Sequence, residues 1–198
     1  MNRYFWAVFV EDEGIRNALD AIRYISNPDA KYSAHITVKG PTNTYSEPDV
    51  AEYEAEQFQI SVVGVGRFFN KNQNTVYLHC GFPAMRRFWD KKDFPGGIPH
   101  ITIYDGVSRE FAEEIYRLLR KDRFLFNCRG SFVRTLSSES KQSNFDLMLN
   151  VNLSYVKDCT GVELTLSRIR DLEQGERVRL VKQIWSCFVE NTNNYNNE

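Results

Sequence analysis

The chain carries almost no net charge. Its 198 residues set 25 Lys and Arg against 26 Asp and Glu, giving a formal charge of −1 and a pI of about 6.3. That balance excludes a global basic field of the kind that holds long nucleic acid nonspecifically. Any nucleic-acid partner must be gripped locally and briefly, so an RNA end or a small phosphate-bearing ligand fits better than a stable duplex. Cysteine is scarce as well. Cys80, Cys128, Cys159 and Cys187 are widely spread, and none belongs to a Cys-x-x-Cys pair, which argues against a zinc knuckle. They read as reduced thiols of a cytosolic protein. The apolar opening, Tyr4 to Val10, is far too short for a membrane span and lacks the layout of a signal peptide. The expectation is a cytoplasmic chain with no membrane partner. No nucleotide-triphosphate motif supports energy-coupled ligation.

What the sequence does hold is a filled interior. Hydrophobic residues make up 42% and aromatics 14%, which indicates a globular chain rather than a disordered one. Its length suffices for one sizeable domain. The reading places that domain at 1–190 and a disordered Asn-rich tail at 191–198.

Histidine is rarer still: there are three, and two of them stand in the same tetrad. His35-Ile36-Thr37-Val38 returns as His100-Ile101-Thr102-Ile103, sixty-five positions later. In a strand, side chains alternate faces with period 2. His35 and Thr37 then share one face, and His100 and Thr102 share a face of their own strand. Ile36, Val38, Ile101 and Ile103 point into the core. A lone His-x-Thr is usually structural. Its repetition, with turn-formers after both copies (Gly40-Pro41 and Asp105-Gly106), indicates two related halves that present a strand in the same way. Imidazole serves as acid or base near neutral pH. Two imidazoles and two hydroxyls facing one cleft would equip it for phosphodiester cleavage with no cofactor and no metal.

The rest of the chain supplies the frame. Tyr4 to Val10 reads as a central strand apolar on both faces; Phe5, Ala7 and Phe9 share one of them, so that one of these aromatics, Phe5 first, is a candidate floor for the cleft, with core packing the simpler role. A helix opens at Gly14 and stops at Asn27-Pro28-Asp29. Lys39 continues the face of His35 and could help hold a phosphate, although a solvated strand-end lysine is the commoner role. Thr42 to Glu56 reads as loop. Phe58 to Phe69 is a long strand bent near Gly64 and Gly66, and Thr75 to Cys80 is its return. Tyr77 and His79 share a face there, and His79, having no Thr partner, reads as structural. Pro83 opens a short helix. Trp89 or Phe94 could stack on a base, with core packing the simpler role for Trp89. Tyr104 continues the face of His100 and Thr102 as Lys39 does that of His35. Ser108 caps the next helix. Phe124 to Leu136 reads as a strand, and alternating Leu147, Leu149, Val151 and Leu153 as another. Residues 163–169 and 177–188 read as a hairpin, with a helix over 177–189 as the alternative.

The two tetrads resemble the paired His-x-Thr-x motifs of the 2H phosphoesterase superfamily, which includes RNA 2′,5′-ligase-like proteins and cyclic nucleotide phosphodiesterases. The resemblance covers roughly Met1 to Leu136. It is specific for the superfamily and weak for the substrate. It implies an α+β, bilobal fold: two antiparallel sheets around a concave cleft, with helices packed outside. It also implies that His35 and His100 act as general acid and base while Thr37 and Thr102 donate to the non-bridging oxygens. The expected substrate is a 2′,3′-cyclic phosphate or a 2′-5′ linkage in RNA or a small nucleotide, with a bell-shaped pH profile. Which histidine is the base stays open. Two other classes compete: a nucleotide or RNA-end binding module without turnover, and an interaction protein whose Leu147 to Phe188 region forms an oligomer surface. Within the enzyme class, a cyclic-oligonucleotide or 2′-5′ oligoadenylate immune signal is a further substrate.

Overall fold

The computed structural model describes residues 4–42, 57–81, 98–136 and 149–195. The chain is α+β, and among the described residues the strands all pair antiparallel. The strands are β1 (Tyr4–Val10), β2 (His35–Thr42), β3 (Gln57–Phe69), β4 (Asn74–Gly81), β5 (His100–Gly106) and β6 (Leu125–Leu136). The helices are α1 (Glu13–Ser26), α2 (Arg109–Leu119), α3 (Leu153–Thr160), α4 (Leu166–Arg170) and α5 (Gln174–Tyr195). The strands close into one barrel in the order β1-β2-β5-β4-β3-β6. The expectation of two separate sheets is therefore modified: one closed sheet takes their place. Its order is nevertheless two-fold. Exchanging β1 with β4, β2 with β5 and β3 with β6 leaves every neighbour pair unchanged. The two histidine strands meet at one of the two junctions between the halves. They are joined there by a single pair, Ile36 with Ile101.

The sheet has two chemically different faces. Val8, Val10, Ile36, Val38, Ile60, Val62, Leu78, Ile101 and Ile103 are buried in one continuous core with the apolar stripes of the helices. Leu19, Ile22 and Ile25 of α1 belong to it, as do Phe111, Ile115 and Leu119 of α2. The period of 3.6 in these helices and of 2 in the strands brings one stripe onto one face. Ala7 and Phe9 turn to the opposite side and pack with Tyr32.

The long strand β3 bends as its glycines indicate. Its register against β4 shifts between Val62 and Val65, and Gly64 there has φ of 76°. Gly66 is small for another reason: a Cβ at that position would lie 2.3 Å from the ring of Tyr77, which crosses it from β4.

The last third differs most from its expectation. Residues 149–152 form no strand, and α3 begins at Leu153. The hairpin of 163–188 is instead α4 and α5, and the Asn-rich end is helical through Tyr195. Val181, Ile184, Trp185 and Phe188 all lie on the buried stripe of α5, so their helical spacing outweighs their even spacing. Side-chain caps fix the shorter helices. Asn152 accepts from the Tyr155 amide, Thr165 accepts from the Arg168 amide, and Gly161 closes α3 with φ of 69°. The readings made for 43–56, 82–97 and 137–148 lie outside the described residues. Among the described residues, no helix is long and apolar enough to cross a membrane.

Two cysteines remote in sequence meet in this region. The Sγ atoms of Cys159 on α3 and Cys187 on α5 stand 2.7 Å apart, both half-buried and both thiols. Burial, and then the hydrogen bond to Cys187, push the Cys159 thiol up to about 12, so its oxidation needs excess peroxide rather than a trace. The expected result is one intramolecular disulfide. Peroxide converts one thiol to a sulfenic acid, and the second thiol displaces that hydroxyl as water. Intact mass should fall by about 2 Da, with thermal stability raised by several degrees, and Cys159→Ser should show neither change. Full alkylation of both thiols after treatment would refute the pairing.

Candidate functional site

The core side chains fix what faces the other way. Ile36 and Ile101 are fully buried among the helices. His35 and Thr37 therefore project from the opposite face of β2, and His100 and Thr102 from that of β5. The strands are neighbours, so all four residues are brought together on one surface. His35, His100 and Thr102 are half-buried there, and Thr37 is exposed.

Each histidine is held in the same way. Nδ1 of His35 donates to the Ser33 carbonyl at 2.7 Å, and Nδ1 of His100 donates to the Ile98 carbonyl at 2.6 Å. A carbonyl only accepts, so Nδ1 carries the proton in each neutral ring and Nε2 carries the lone pair. The spacing from ring to carbonyl is two residues in both halves. The tetrads share a second feature. Trp6 pairs with Lys39 but Ala7 with Thr37, and Val76 pairs with Tyr104 but Tyr77 with Thr102. One extra residue, Val38 or Ile103, therefore follows each threonine as a bulge.

That bulge corrects the reading of Tyr104. A strict period of 2 sends it to the face of His100. The extra residue turns it into the core instead, where it is buried and meets Phe111 edge-on at 5.1 Å. Lys39 occupies the matching register position opposite Trp6. The side chains of Lys39 and Phe5, and Trp89 and Phe94 altogether, lie outside what is described.

Other residues join the histidine face. Phe9 lies opposite His35 in register, with ring centroids 5.1 Å apart, and Tyr32 meets His35 edge-on at 6.2 Å. On the second half, His79 lies opposite His100, and the Tyr77 ring is 4.7 Å from His100. Phe68 stacks on Tyr77 at 4.6 Å and stands 5.9 Å from His100, with 45% of its surface exposed. In the sequence, the signals of this arrangement are the shared face of Phe5, Ala7 and Phe9 in the first half and that of Tyr77 and His79 in the second. Neither the register that sets His79 against His100 nor the place of Phe68 follows from parity alone.

The halves differ in electrostatics. Burial, then the positive charge of Arg23, hold His35 down at about 3, and the carbonyl of Ser33 opposes them. The charge on His100 adds to the depression. His100 is lowered by burial first. The Ile98 carbonyl and the charge of Asp105 oppose that, while His79 adds to it. On the second ring's side of the balance stands a carboxylate, Asp105, the smallest of these contributions. Among the described residues, no group of three or more His, Cys, Asp or Glu is placed to hold a metal ion.

An exposed aromatic ring beside an imidazole suits a planar ligand. Phe68→Ala is expected to weaken binding of a mononucleotide at this face about tenfold, at the scale of one stacking contact. Titration calorimetry checks this, and an unchanged Kd would place the base elsewhere. A groove of about 770 Å3 lined by Asp12, Gln59, Arg129, Tyr155 and Asn191, among others, contains none of the histidines. Comparison of the chain with protein-family models and with curated proteins finds no match.

Proposed function

We propose that this protein is a phosphodiesterase of the 2H type, acting on a 2′,3′-cyclic phosphate or a 2′-5′ linkage in an RNA end or a small nucleotide. The observation that carries the reading is the duplicated histidine geometry. Two imidazoles on adjacent antiparallel strands each donate Nδ1–H to a carbonyl two residues back, and each has a threonine on its own face. A ring anchored through Nδ1 has Nε2 as its proton-transfer atom. On this reading the two halves of the barrel form the two lobes of a concave cleft, and the phosphate sits between the rings.

The electrostatic asymmetry supports a division of labour. His35, beside a guanidinium, is the neutral base. His100, whose depression the charge of Asp105 opposes, is the acid. On a cyclic phosphate, Nε2 of His35 takes a proton from water as its oxygen bonds to phosphorus. The bond from phosphorus to one ribose oxygen breaks, and Nε2–H of His100 protonates that oxygen. The product is a ribose phosphomonoester. On a linear 2′-5′ linkage the neighbouring ribose hydroxyl takes the place of water, and the first product is cyclic. Thr37 and Thr102 donate to the non-bridging oxygens, where charge gathers in the transition state. A bound phosphodiester anion raises both imidazoles and opposes the depression each feels in the empty site.

The test is product analysis on 2′,3′-cyclic mononucleotides, 2′-5′ and 3′-5′ oligoadenylates and cyclic dinucleotides. Chelator is present, and wild type runs beside the His35→Ala/His100→Ala double variant. Turnover by wild type alone supports the reading, and the position of the product phosphate identifies the bond. Binding of one of these ligands with no product from a folded wild-type chain would overturn it in favour of a binding module.

A further inference from the structure

Asp20 and Arg23 are the only charged residues buried among those described, at 2% and 6% exposure. They lie three apart on α1, so they share a face of that helix. Burying charge is costly and is offset only by hydrogen bonds and an opposite charge. Here the bonds go to few places. One carboxylate oxygen of Asp20 accepts from the Ser33 hydroxyl, and the other accepts from the Ala34 amide at 2.6 Å. Nη2 of Arg23 donates to the Tyr32 carbonyl at 3.0 Å, and Nη1 donates to the Thr102 carbonyl at 2.5 Å. Three partners are the residues directly before His35. The fourth is the threonine of the other tetrad.

We propose that Asp20 and Arg23 are positioning residues: a buried clip from α1 that holds the two histidine strands in register and sets the ring of His35. The proposal rests on reading His35 and His100 as the reacting pair. Two further observations support it. β2 and β5 are paired at one position only, so the junction carrying both histidines has little backbone bonding of its own. Arg23 crosses that junction from one side to the other. Ser33 is the second link: its hydroxyl is tied to Asp20, and its carbonyl accepts from Nδ1 of His35. Moving Asp20 therefore moves the group that fixes the tautomer of His35. The guanidinium also contributes charge. Among the described residues, the titratable groups that face His35 include Arg23 from α1, His100 from β5 and Tyr32 from the segment before β2. The Phe9 ring from β1 is neutral. Of these, Arg23 alone is positive at neutral pH in every protonation state of the site.

The experiment uses the whole chain with 15N-labelled histidine. Long-range 1H–15N spectra report tautomer and titration for each of the three rings. In wild type, His35 and His100 are expected as Nδ1–H tautomers. Arg23→Met removes the charge and the bridge at similar volume. The His35 ring should then titrate about one pH unit or more higher and show mixed tautomers. Arg23→Lys restores the charge without the two-carbonyl bridge. It should return the titration of His35 towards wild type and leave kcat at least tenfold low, with KM nearly unchanged. Ser33→Ala keeps both charges and covers the case in which Arg23 variants do not fold. It should mix the tautomers of His35 alone. A folded Arg23→Met or Ser33→Ala chain with an unaltered His35 ring would overturn the clip. If wild type turns over no phosphodiester, the catalytic reading fails, but the ring spectra still decide whether the clip positions His35.

Discussion

Replacing His100 with alanine is expected to lower phosphodiester turnover by about 10²–10⁴-fold, the scale of one general acid or base, and His35→Ala should do the same. The loss should appear in kcat as well as kcat/KM, because in the proposed mechanism each ring transfers a proton only in the transition state. The two substitutions should not multiply. Once one ring is gone, the in-line arrangement of attacker and leaving group is already broken, so the double variant should be only slightly worse than either single one. Thr37→Val and Thr102→Val should cost less, about tenfold or more each, since one donor to a non-bridging oxygen can be partly replaced by water. Circular dichroism controls for folding. The assignment of two histidines would not survive full activity in a folded His100→Ala chain.

The residues of that prediction were legible because they obey the simplest rule. His35, Thr37, His100 and Thr102 follow period 2, and their apolar neighbours Ile36 and Ile101 are fully buried. Tyr104 was not legible by the same rule, since the bulge at Ile103 leaves no trace in the hydrophobic pattern. Asp20 and Arg23 were harder still. A charged pair on an amphipathic helix reads as solvated surface, and only Ser33, Ala34 and Thr102, brought in by the tertiary fold, reveal it as buried. The last third misled for a different reason. Val178, Leu180, Ile184 and Phe188 keep even spacing and suit a strand. Val181 and Trp185 complete a helical stripe through the last two of them. The packing goes with the helical period: Trp185 is fully buried against Phe124, with Phe188 beside it, and donates Nε1–H to Asp122 at 3.0 Å. Alternation along Leu149, Val151 and Leu153 was overridden by the cap at Asn152.

Acid should destabilise the fold through the same ring that the mechanism needs neutral. Burial and the charge of Arg23 hold His35 at about 3 in the folded chain, against an ordinary value of 6.5. Between those values the unfolded chain binds a proton at this position that the folded chain does not. Stability therefore rises with pH across the window and falls as pH drops from about 6.5 towards 3. Above about 6.5 the ring is neutral in both states and contributes nothing. His100, also lowered, acts in the same direction. Asp20 acts in the opposite one: burial raises its carboxyl, so the folded chain takes up that proton first. A comparison of variants separates these contributions. His35→Gln keeps an amide donor for the Ser33 carbonyl and cannot titrate. Urea unfolding of wild type and His35→Gln should show a gap between them that changes by on the order of 2–3 kcal/mol from pH 6.5 to pH 4, bounded by about 1.4 kcal/mol per pH unit and reduced by the part of the ring that meets solvent. Parallel pH dependences for the two chains would mean that His35 titrates as an open imidazole. The neutral base beside Arg23 would then have to be given up.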